Sequence, residues 1–117
     1  MQELARIAFV AEPRENAAVE VRVNFGIFAG REVTPAEIDD LARILLEEVS
    51  TVSIVSEERH EIDKEVEVSV HQVRVEVGKD ALPEGAEMPA FAERIALLAQ
   101  HWAEGCISDR HAEISET

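Results

Sequence analysis

Val19-Glu20-Val21-Arg22-Val23-Asn24-Phe25-Gly26-Ile27 decides the fold class of this chain. Every second residue is apolar, and the residues between are Glu20, Arg22, Asn24 and Gly26. Successive side chains of a strand point to opposite faces, so this alternation predicts a strand over 19–27 with one buried and one wet face. Such a sheet needs a covering layer on one side only.

That layer is legible downstream. Thr34-Pro35-Ala36-Glu37 is a capping box with proline at the first helical position. Behind it Ile38, Leu41, Ala42, Leu45, Leu46 and Val49 recur at spacings of three and four, predicting a helix over 35–49. A second stripe, Phe91, Ile95, Leu98, Ala99 and Trp102, follows Pro89 and predicts a helix ending near Gly105. Residues 106–117 extend this helix or form a tail, because a mid-helix glycine costs about 1 kcal/mol relative to alanine.

Three more strands complete the set. Residues 5–11 place Ile7, Phe9 and Ala11 on one face, and a polar turn over 12–16 follows. Val52, Ile54 and Val55 open a strand over 51–58, with 59–63 a connection or its continuation. In the strand over 64–77, Val66, Val68 and Val70 are out of phase with Val73, Val75 and Val77. Keeping both triplets on one face requires an inserted residue, which predicts a β-bulge at His71-Gln72. A loop over 78–88 contains two glycines and Pro83.

The expected architecture is therefore α+β: a two-layer, four-stranded, mainly antiparallel sheet with two helices on one face, in ββαββα order. Residues 1–105 form its single domain and 106–117 the extension. The halves share letters, with 9–14 matching 54–59 at an offset of 45 and Val21-Arg22-Val23 matching Val73-Arg74-Val75 at 52. A ββα duplication would produce both matches, and so would chance. The sheet face away from the helices is expected to carry Glu20, Arg22, Asn24, Glu65, Glu67, Ser69, Arg74 and Glu76, as a solvated surface or an interface.

Composition narrows function. The 117 residues carry 11 Lys+Arg against 25 Asp+Glu, a formal charge of −14. A monomer of 13.0 kDa exposes roughly 6,300 Å². One net negative charge per about 450 Å² repels phosphate backbones and anionic lipid, so neither nucleic acid nor membrane is an expected partner. The longest apolar run, Ile7 to Ala11, is far shorter than the about 20 residues a membrane span needs. The start, Met1-Gln2-Glu3, lacks the features of a signal peptide, and the single cysteine, Cys106, cannot form an internal disulfide. Both point to a reducing, cytoplasmic setting.

Candidate chemistry is thin. His71, with Gln72 beside it, is the first catalytic candidate, because bulges re-aim side chains near sites. The ordinary alternative is a bulge that only twists the pairing. His60 sits among Glu57, Glu58, Glu61 and Asp63, and alternation puts Glu58 and His60 on one face. It is the weak metal candidate, although no spacing matches a defined metal motif. His101, Cys106 and His111 are five apart and do not share a helix face. Residues 26–34, with two glycines and Arg31 before a helix start, could hold an anion but lack the glycine spacing of a nucleotide loop. No cofactor is implied. The leading expectation is a small non-enzymatic association domain, a homo-oligomer or a subunit of a complex. The alternative is a small-molecule-binding protein or enzyme with a pocket between helices and sheet near His71.

Overall fold

A computed structural model describes residues 6–14 and 16–115. The elements are β1 (Ala8–Ala11), β2 (Ala17–Val23), α1 (Phe25–Ala29), α2 (Pro35–Leu45), β3 (Ser53–Ile62), β4 (Glu67–Gly78), a short 3-10 turn (Lys79–Ala81) and α3 (Ala90–Ser115). The four strands make one antiparallel sheet in the order β1-β2-β4-β3. The architecture is the expected two-layer α+β arrangement, with one helix more than the sequence predicts.

The core explains the layers. Val19, Val21 and Val23 of β2 stand opposite Val77, Val75 and Val73 of β4, and all six are buried. Leu41 and Leu45 of α2, and Ile95, Ala99 and Trp102 of α3, join them in one apolar cluster. Removing a valine side chain from water is worth about 1.5 kcal/mol or more. In β1 the residues facing this core are Ala8 and Val10, which pair with Val23 and Val21, whereas Phe9 and Ala11 lie on the opposite face. The capping box forms as predicted: the Glu37 amide donates to Thr34 Oγ1 at 3.2 Å, and the Thr34 amide donates to Glu37 Oε1 at 2.9 Å.

Several expectations are corrected. The strand predicted over 19–27 ends at Val23, and α1 begins at Phe25. Asn24 makes the break: its Nδ2 donates to the Arg6 carbonyl at 2.9 Å, and its Oδ1 accepts from Gln72 Nε2 at 2.6 Å. Phe25 still reaches the core, but Ile27 is 56% exposed. Helix α2 stops at Leu45, and Leu46 is exposed rather than part of the buried stripe. The predicted bulge at His71-Gln72 is absent. β3 and β4 pair in one uninterrupted register from Ser53↔Glu76 to Ile62↔Glu67, and the register shift lies instead between Ala17 and Val19. Without a bulge the two valine triplets belong to opposite faces. Val66 precedes β4 and is exposed, and the side chains of Val68 and Val70 lie outside the described residues. Residues 59–62 continue β3, and α3 runs straight through Gly105 to Ser115. The part of the first predicted strand at Ala5 lies outside the described residues.

β2 pairs with β4 only as far as Val23↔Val73, so residues 57–62 and 67–72 project beyond β2 as a two-stranded arm. Its turn is closed by Asp63, whose Oδ1 accepts from the amides of Glu65 and Val66, both at 2.8 Å. These two donors hold the Asp63 carboxyl below the usual range.

The strand order reads the same when the halves are exchanged, so the sheet has a pseudo-twofold between Arg22 and Arg74, which pair directly. Carrying β2 onto β4 by 52 residues requires β1 to move onto β3 by 46 for the registers to superimpose. The letter match at 45 would put Phe9 on Ile54, residues of opposite faces, and is therefore a coincidence.

Candidate functional site

Gly26 lets α1 lie directly on β4. A Cβ there would sit 2.9 Å from His71 Cβ and 3.1 Å from the His71 backbone N and O, so only glycine fits this approach. Between α1, the loop that follows it and the base of the arm lies a cavity of about 470 Å³. Gly26, Ile27, Gly30, Arg31, Glu32, Ser69 and His71 line it.

His71 is thus the sequence candidate that the fold places in a concavity, although for a different reason from the one expected. Strand alternation alone directs it to the helix side, where it is partly buried. Its Nδ1 lies 3.4 Å from Glu32 Oε1 and its Nε2 3.7 Å from Glu58 Oε2. Glu58 is the hub of a wider cluster. The Ser69 hydroxyl donates to Glu58 Oε1 at 2.7 Å, and His60 Nε2 stands 3.2 Å from the same oxygen. The Ser69 hydroxyl, followed by the nearby His60 and His71, holds the Glu58 carboxyl below its usual range. Ser69 gives its proton to a carboxylate rather than to a histidine, so this arrangement does not activate a serine nucleophile. It can hold a cation or exchange a proton with one.

Gln72 does not belong to the site. It lies buried on the opposite sheet face, bonded to Asn24, and its role is to fix the end of β2. His60 shares a face with Glu58 as expected and reaches toward Glu67 Oε1 at 3.9 Å. Among the described residues no group of three His, Cys, Asp or Glu side chains is placed to hold a metal ion. His101 is exposed, Cys106 gives a hydrogen bond to Glu37, and the side chain of His111 lies outside the described residues. Sequence reasoning missed Ser69, Glu32 and Gly26 as members of the site. Only Glu58 carried a signal, its two-residue spacing from His60.

Arg31 of the glycine loop holds Glu37 in a two-point pair, Nη1–Oε1 at 2.9 Å and Nη2–Oε2 at 2.7 Å, and stacks 5.3 Å from the centre of the Phe25 ring. The Glu37 carbonyl accepts from Trp102 Nε1 at 2.9 Å. Arg31 and Thr34 bring the Glu37 carboxyl down to about 2, the arginine being the larger cause. This assembly ties loop, α2 and α3 together, and the loop's cation is engaged by its own helix.

The sheet face away from the helices, expected as a solvated surface or an interface, is not solvated throughout. Glu20 there is 0% exposed and Arg74 only 9%. Register sets Glu20 against Glu76 and Arg22 against Arg74, like charge against like. Between β2 and β4 the attractive contacts therefore run along each strand, Arg22 Nε–Glu20 Oε2 at 2.8 Å and Arg74 Nη1–Glu76 Oε2 at 2.9 Å, while Glu57 reaches across from β3 to within 3.3 Å of Arg74 Nε. Glu67 and Ser69, expected on this face, lie on the other, and Glu65 precedes β4.

Compared with family models, curated proteins and solved structures, the chain matches none. No helix among the described residues is long and apolar enough to cross a membrane.

Proposed function

We propose that this chain is a non-enzymatic association domain that works in the cytoplasm as a homo-oligomer. The observation that carries the reading is the two-stranded arm, residues 57–62 and 67–72, which projects beyond β2 with Ile62 near its tip 69% exposed. An isolated two-stranded hairpin is marginal in water, and a second copy would support it. Light scattering on the eluting protein tests the reading. A mass above 13.0 kDa is expected; a monomer at every loading, with no co-purifying partner, would refute it.

The cavity at His71 favours a second reading, a small-molecule site between α1 and β4. Titration with a library of small amines and acids, followed by the backbone amide resonances of Gly26, Gly30 and Ser69, tests it. Saturable shifts that vanish in His71→Ala support a ligand site, and no shift with any compound removes it.

A further inference from the structure

We infer that two copies of this chain pair through the outer edge of β3, antiparallel, about a twofold axis at Glu58. The inference rests on the association reading above and names the surface that carries it. β3 is the end strand of the sheet, and its extensive packing is against β4 alone. All ten of its residues pair with β4 in an unbroken register, so the outer edge is regular along its whole length. No proline or bulge interrupts it, and the charges of Glu57, Glu58, Arg59 and Glu61, another device that blunts an edge, are what a partner strand's register must match. Alternate residues of such a strand direct N–H and C=O groups outward, a template for another strand. The opposite edge, β1, has only four residues.

Face matching and charge select the register. Residues paired across the dyad must lie on the same sheet face, so the axis falls on a residue and not between two. An axis at Arg59 would set Glu57 against the second copy's Glu61, and an axis at Glu57 would leave Ile62 without a partner. With the axis at Glu58, Ile54 meets the second copy's Ile62, and Glu57 stands opposite the second copy's Arg59. Nine residues pair, 54–62, and the strongly exposed Ile62 is matched by an apolar residue, as cross-strand pairing favours. The one like-charge contact is Glu58 with itself. Each copy brings Ser69, His60 and His71 within 2.7–3.7 Å of that carboxylate, which compensates it.

The test uses full-length protein carrying Cys106→Ser, with either Glu58→Cys or Ser53→Cys. Residues opposite each other across antiparallel strands have Cβ atoms about 4.5–5.5 Å apart, within reach of a disulfide after small adjustment. Mild oxidation is expected to convert most of the E58C protein into a covalent dimer and to leave S53C uncrosslinked. Should E58C fail to fold, amide exchange on the parent decides the same question, with alternate β3 amides slowing by about tenfold or more as concentration rises. A protein that scatters as a dimer but neither cross-links at 58 nor protects β3 overturns this edge assignment and leaves the association reading intact. A monomer overturns both.

Discussion

Replacing Glu37 with glutamine keeps the size of the side chain and removes its charge from the junction of loop, α2 and α3. The Arg31 guanidinium then faces a neutral amide at two contacts that are 2.9 and 2.7 Å in the native chain. The Glu37 carboxyl falls from 4.5 to about 2 on folding, chiefly through Arg31. At 1.36 kcal/mol per unit the full linkage is about 3 kcal/mol. The Glu37 side chain is 18% exposed and water screens part of the pair, which brings the expected loss to about 2 kcal/mol. For a domain of this length that lowers Tm by about 8 °C. The sign follows from the depressed folded-state value. The contribution is complete above the unfolded pKa of 4.5 and is lost as pH falls through about 2. Thermal melts followed by circular dichroism at pH 6, 4.5 and 3 should show the gap between native protein and E37Q shrinking to less than half by pH 3. A gap that is the same at pH 6 and pH 3 would show that Glu37 acts through shape and capping alone, and the charge argument would be wrong.

Glycine substitutions should separate by position. Gly26→Ala forces α1 off His71 and should cost about 1–3 kcal/mol, whereas Gly105→Ala, where a new Cβ meets nothing within 4 Å, should stabilise α3 by about 1 kcal/mol; urea titrations read both. Asn24→Ala leaves Gln72 without its 2.6 Å partner and the Arg6 carbonyl without its donor, with an expected loss of about 1–3 kcal/mol; a change under half that would remove Asn24 as the device that ends β2. Screening of the −14 charge over about 8–10 Å should raise Tm between low and moderate NaCl, and a flat profile would mean that the acidic residues are compensated locally.

The parts of the fold legible in sequence are those where a side chain has one buried and one wet choice. Val19, Val21 and Val23 announced their face because helices cover one side of β2 and a charged network occupies the other. Thr34 and Glu37 announced the start of α2 because a capping box is local. The arm misled for the complementary reason. Among the described residues, beyond Val73 only the short α1 packs extensively on β4, so apolar phase there carries no information about a core, and the bulge expected at His71-Gln72 has no buried face to restore. Helix α1 and the cavity depend on Gly26 meeting His71, forty-five positions away in the chain, which no local pattern encodes. Burial of Glu20 was equally hidden, since it comes from neighbouring arginines and not from its own segment. Gly105 suggested an end to α3, yet Trp102 and Ala103 pack into the core just before it and hold the helix through the weak position.

The account stands most directly on sedimentation equilibrium of the pure full-length chain over a wide concentration range. A species of twice 13.0 kDa that dissociates on dilution is the predicted result. A single mass of 13.0 kDa at every concentration would mean that the extra surface of the arm and the free edge of β3 stay in water, contradicting the proposal that this fold exists to associate with itself.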